Sequence, residues 1–94
     1  MVIPFDAGNN ESLNFQPQTT KVVLGNNNTI VWVNNDPLQH TVKSSSAPAG
    51  AQGFDSGILN QGQSFTITLT APGTYHYYCT IHPTWMKGTI QVIP

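Results

Sequence analysis

Between Ser64 and Thr70 the chain reads Ser-Phe-Thr-Ile-Thr-Leu-Thr, apolar at every second position. A period of two puts Phe65, Ile67 and Leu69 on one face of an extended strand, with the hydroxyl side chains on the other. Wound into a helix, the same residues would scatter their apolar groups around the whole circumference. The rest of the chain is consistent with this. Short runs rich in β-branched and aromatic residues at 2–5, 20–24, 29–33, 40–43, 74–79 and 87–93 each predict a strand. Turn chemistry separates them, at Gly25-Asn26-Asn27-Asn28, Asn34-Asn35-Asp36-Pro37 and Pro72-Gly73. Eight Gly and seven Pro are spread along the chain, and no stretch sustains a 3.6-residue period. Seven or eight short strands at such spacing build an all-β sandwich or barrel. Residues 44–62, rich in Ser, Ala, Pro, Gly and Gln, predict a long connection with one ordered piece at 54–59.

Ninety-four residues are expected to make one domain, 1–94. A chain of this size buries roughly 60–65% of the surface its unfolded form exposes. That supports one core but not an additional enclosed substrate cavity, which argues against a small-molecule enzyme and places any chemistry at the surface or at a bound ion. Three Lys, no Arg and four acidic residues provide no basic stripe for nucleic acid and no polybasic membrane patch. No apolar run is long enough to span a bilayer. The single Cys79 excludes an internal disulfide. Two Asn-x-Ser/Thr triplets, Asn10-Glu11-Ser12 and Asn27-Asn28-Thr29, read as accidents of an Asn-rich composition.

The residues that carry chemistry gather near the end: Tyr77-Tyr78-Cys79-Thr80-Ile81-His82-Pro83-Thr84-Trp85-Met86. A thiolate, an imidazole and a thioether lie in one loop between two predicted strands. Pro83 biases His82 toward an extended backbone. A second imidazole, His40, opens a predicted strand far upstream, just after the Asp36-Pro37 turn. One ligand from one strand and three from a loop can converge at one end of a sandwich. Two imidazoles and a thiolate with a weak axial thioether describe a type 1 copper site. Thiolate and thioether are soft donors that suit Cu(I), and imidazole suits both oxidation states. Structural zinc takes four Cys or His ligands and has no need of a Met, although zinc can enter such a site. Each residue also has a plain reading: Cys79 as a buried hydrophobe, His40 as a solvated side chain, Met86 as core packing. The joint pattern favours the metal. His76 is left out, because alternation places Tyr75, Tyr77 and Cys79 on one face and His76 and Tyr78 on the other.

With these residues in view, the sequence resembles the cupredoxin family, and most of all its plastocyanin and amicyanin branch. The similarity runs through Thr29-Ile30-Val31-Trp32-Val33-Asn34-Asn35-Asp36, His40-Thr41-Val42 and Phe54-Asp55-Ser56-Gly57. It continues through Pro72-Gly73-Thr74-Tyr75 and Tyr78-Cys79-Thr80-Ile81-His82-Pro83 to Met86-Lys87-Gly88. The resemblance implies a Greek-key β-sandwich holding one copper ion that cycles between Cu(I) and Cu(II), and a monomer shuttling single electrons between transient redox partners. It also implies a place outside the cytoplasm, in the periplasm or at the cell exterior, with a signal or anchor removed. Relatives tie the first His segment to the residue after Cys, and the pair expected to do so here is Thr41 and Thr80.

One departure bears on the site. Plastocyanin-like members place four residues between the loop His and Met, and amicyanin-like members two. This chain has three, Pro83, Thr84 and Trp85. Met86 can therefore bind axially, bind long and weakly, or point away. For an electron carrier, His82 is the expected exit route, at a surface rimmed by Pro37, Leu38, Pro83 and Trp85, with core packing as the equal alternative for Trp85. If Met86 does not ligate, the alternative is an open axial position that reacts with a small molecule such as nitric oxide or peroxide. Copper storage or delivery, and a purely structural β domain, are the further readings.

Overall fold

The computed structural model describes residues 1–8, 13–25, 28–81 and 85–94. Seven strands run through them: β1 Val2–Ile3, β2 Thr19–Val23, β3 Thr29–Asn34, β4 Lys43–Ser46, β5 Ser64–Thr68, β6 Gly73–Tyr78 and β7 Lys87–Ile93. One sheet has the order β1-β3-β5 and the other β2-β7-β6-β4. Successive strands thus switch sheets at every connection from β1 to β6, and only β6 and β7 are consecutive neighbours in one sheet. β1 runs parallel to β3 and β2 parallel to β7. Parallel neighbours cannot be joined by a tight hairpin: the chain passes from β1 to β3 through β2 of the opposite sheet, and four strands separate β2 from β7. The expected all-β sandwich is the observed architecture, with no helix among the described residues.

Alternation decides what faces the core. Ile30, Trp32 and Asn34 of β3 are buried, as are Tyr75 and Tyr77 of β6, followed by Cys79, while His76 is exposed. Trp32 and Tyr77 meet from opposite sheets with ring centroids 5.2 Å apart, edge to face. Phe15 packs edge-on against Tyr77 at 4.8 Å, and Phe65 stacks on Trp32 at 5.8 Å. Such pairs contribute about 0.5–1.5 kcal/mol each beyond the area they bury. Tyr77 pairs across the ladder with Gly88. A Cβ at Gly88 would stand 2.2 Å from the Tyr77 ring, so only glycine lets the ring lie there. Burial pushes the Tyr77 hydroxyl up to about 12, which keeps this core member neutral.

The expected strand at 40–43 is corrected. The ladder of β4 begins at Lys43 and runs to Ser46. The backbone of 40–42 turns instead to the long connection: His40 and Leu59 exchange both hydrogen bonds, at 3.1 and 2.8 Å, and Ser56 N–H donates to Val42 O at 2.9 Å. The connection is ordered at 54–59 because it serves as the partner of the His40 segment.

Candidate metal centre

The site is built where β6 ends. Tyr78 is the last residue of β6, Cys79 follows it, and Met86 immediately precedes β7. Cys79 N–H donates to Met86 O at 3.1 Å, so the two residues are held across the base of the loop that joins the strands. Both are fully buried, as is His40. His40 arrives from the other side, where its backbone bridge to Leu59 fixes its height on the sandwich.

His40 Nδ1 lies 3.6 Å from Cys79 Sγ. Metal–thiolate and metal–imidazole bonds of about 2.3 and 2.0 Å, meeting at an angle between tetrahedral and trigonal, require a separation of about 3.5–3.7 Å. The two donors therefore stand at the spacing that a shared metal ion demands. Among the described residues no three His, Cys, Asp or Glu side chains form a metal cluster. His82, the fourth expected ligand, lies outside the described residues, as does Pro83.

Asp36 orients His40. Its carboxylate is fully buried and accepts from His40 Nε2–H at 2.6 Å. A carboxylate of this kind only accepts, so the imidazole carries its proton on Nε2 and turns the Nδ1 lone pair toward Cys79. Asp36 is itself held by Gly8 N–H at 2.8 Å and Asp6 N–H at 3.1 Å. Burial drives its carboxyl up, but the bonds from His40, Gly8 and Asp6 outweigh this and leave it below its ordinary value. Burial likewise drives the His40 imidazole down, and its bonds to Cys79 and Asp36 reverse the shift and raise it. Asn34 shapes the turn between them. Its Oδ1 accepts from Asp36 N–H at 2.9 Å, and its Nδ2 donates to Leu38 O and Leu59 O at 3.0 and 2.8 Å.

Thr41 lies against the sulfur. Its backbone N–H donates to Cys79 Sγ at 3.4 Å. Its hydroxyl accepts from Thr80 N–H at 2.7 Å and lies 2.8 Å from Thr80 Oγ1. Pro37 and Leu38 are exposed beside this end. Trp85 is half-buried against the core, and its indole N–H donates to Ala7 O at 3.3 Å.

Sequence reasoning passed over Asp36, Asn34 and Asn14, reading the first two only as turn formers. Asp36 had a signal: it stands four residues before His40 in a chain with only four acidic residues. Asn14 had none, because its partners are Trp85 and Lys87 at the far end of the sequence.

The profile of copper binding proteins of the plastocyanin/azurin family matches residues 3–93. The chain belongs to this family. As in other plastocyanin/azurin proteins, its metal is copper, and the soft donor pair at the end of β6 fits that metal. The chain is 35% identical over 75 residues to amicyanin-alpha of Methylorubrum extorquens, an alignment covering 80% of this chain and 62% of that protein. It is 35% identical over 92 residues to chloroplastic plastocyanin of Physcomitrium patens, covering 90% and 54%. It thus spans between half and two thirds of the length of these relatives. Among solved structures, a purple cupredoxin from Nitrosopumilus maritimus superimposes with a TM-score of 0.80 at 27% identity, covering 98% of this chain and 96% of that one.

Proposed function

We propose that this chain carries single electrons, with copper that would be held by His40 Nδ1, Cys79 Sγ, the His82 imidazole and the Met86 thioether. The observation that carries the reading is the 3.6 Å separation of Nδ1 and Sγ between two fully buried side chains. Bound copper supplies the one-electron couple between Cu(I) and Cu(II). The residues of the chain supply a frame that does not need to move. Asp36 fixes the His40 ring, Thr41 N–H meets the sulfur, and the Thr41–Thr80 hydroxyl pair ties the His40 segment to the residue after Cys79. Outer contacts of this kind orient the ligands and tune the metal. With the donors set by the protein in both charge states, little rearrangement accompanies electron loss or gain. Met86, fully buried beside Cys79, favours a closed site.

His82 is the exit route, and docking uses the surface around Pro37, Leu38, Pro83 and Trp85. Leu38 and Ile81 expose 36% and 40% of their surface in the segments that carry His40 and His82. With three Lys and four acidic residues in the whole chain, partners are recognised through brief apolar contact more than by charge steering. The protein works as a monomer outside the cytoplasm, a setting supported by the family resemblance and checked by cell fractionation of its native source.

The reading is tested by absorption, EPR and voltammetry of the Cu(II)-loaded protein. An intense thiolate-to-copper band toward the red, narrow copper hyperfine splitting and a reversible one-electron wave are expected, and Cys79→Ser abolishes the band. Absence of the band in the native protein removes Cys79 from the site. An irreversible wave refutes the carrier role.

A further inference from the structure

We propose that Asn14 is a positioning residue that sets the place of the axial methionine. The inference rests on the reading of Met86 as a copper ligand. Asn14 lies before β2, far from the ligand loop in sequence, and its amide grips both sides of Met86. Nδ2 donates to Trp85 O, which belongs to the peptide entering Met86. Oδ1 accepts from Lys87 N–H at 3.1 Å, which belongs to the peptide leaving it. The φ and ψ of a residue are the rotations between those two peptide planes. Fixing both planes fixes the direction of the Met86 Cα–Cβ bond, and Cys79 N–H on Met86 O holds the second plane again.

Asn14 is itself anchored. Its Oδ1 also accepts from Phe15 N–H at 2.8 Å, which fills both lone pairs of the oxygen. Phe15 is buried edge-on against Tyr77, two residues before Cys79 on the same strand face. One rigid path thus runs from the strand that bears the thiolate, through Phe15 and Asn14, to the backbone of the thioether. Methionine has three rotatable bonds, and an axial thioether bond is weak and long. Such a bond cannot place its own backbone, so the backbone must be placed by something else. The unusual three-residue spacing between His82 and Met86 makes an outside brace the more necessary.

The test compares native protein, Asn14→Ala, Met86→Leu and the double variant, all copper-loaded. It reads the ratio of the shorter-wavelength to the red thiolate band, the EPR rhombicity and the reduction potential. Asn14→Ala is expected to shift all three in the native background and none of them in the Met86→Leu background. If Asn14→Ala lowers only the melting temperature, Asn14 is merely structural and the proposal falls. Equal shifts in both backgrounds mean that it acts by a route other than Met86, which also overturns it. If Met86→Leu leaves the native spectrum and potential intact, axial ligation itself is refuted and this inference with it. Should Asn14→Ala not fold, Asn14→Asp keeps the acceptor for Phe15 and Lys87 and loses the donor to Trp85 O. A shift that vanishes in the Met86→Leu background is then expected, and no shift overturns the proposal.

Discussion

Replacing Asp36 with Ala removes the acceptor that His40 and the N-terminal loop share. His40 Nε2–H and Gly8 N–H, at 2.6 and 2.8 Å, lose their bonds to Oδ2 in a place closed to water, and Asp6 N–H loses its bond to Oδ1. Each buried hydrogen bond lost in this way costs about 1–3 kcal/mol. Two such losses in the buried interior make Asp36→Ala cost the metal-free protein about 2–6 kcal/mol. Asp36→Asn keeps one oxygen where Oδ2 stands, so the His40 and Gly8 bonds persist without charge while the amide nitrogen faces Asp6 N–H and loses that bond, and the loss falls to about 1–2 kcal/mol. Copper affinity should fall about 10–100-fold in the Ala variant, because nothing then fixes the proton on Nε2. Urea unfolding of the metal-free proteins, followed by tryptophan fluorescence, gives the stabilities, and a chelator competition gives the affinities. A loss below about 1 kcal/mol in Asp36→Ala with affinity intact would refute the reasoning. The bridge to Leu59 alone would then suffice to hold His40.

Gly88→Ala forces a methyl group into the Tyr77 ring, and overpacking of this kind is expected to cost about 1–3 kcal/mol, measured as a lowered melting temperature. Thr41→Val deletes the hydroxyl that receives Thr80 N–H while keeping the backbone donor to sulfur, so stability should fall by about 1 kcal/mol and the reduction potential should shift. An unchanged potential and spectrum would deny Thr41 its tuning role. The metal-free protein should be most stable in a mildly acidic window. The raised pKa of His40 gives stability that is complete below its ordinary 6.5 and is lost as pH rises through the folded value. The lowered pKa of Asp36 gives stability that is present above its ordinary 3.8 and is lost as pH falls through the folded value. Melting temperatures across pH should trace both limbs, and Asp36→Asn should flatten the acid one.

The alternation of Ser64–Thr70 and of Tyr75, Tyr77 and Cys79 was legible because a sandwich strand writes its two environments directly into a two-residue period. His40 and Cys79 could be paired from sequence because His and Cys are scarce here and their types constrain the metal. The strand assigned to 40–43 was misplaced because propensity describes a backbone that is ready to pair but not the partner that it pairs with. Here the partner is Leu59, in a connection with no strand signal of its own. Asp36 and Asn34 looked like ordinary turn residues because the same side chains that favour turns also serve as hydrogen-bond partners in the folded molecule. Asn14 acts on Trp85 and Lys87 across more than seventy positions, a relation that exists only after the sheets have closed.

The parallel pairing of β2 with β7 has a consequence for the order in which this molecule comes into being. A chain emerging from the ribosome makes β2 early, yet β2 has no neighbour in its sheet until residues 87–93 exist. Of the proposed ligands only His40 precedes residue 79, so until Cys79 is made this domain offers passing copper just one of them. Assembly of the metal centre and closure of the second sheet thus become one late event. Pairings so distant in sequence place folding in the slow range of small domains, about milliseconds to seconds. A polypeptide carried through a membrane before that event would cross it unfolded and without metal, and would take up copper on the far side.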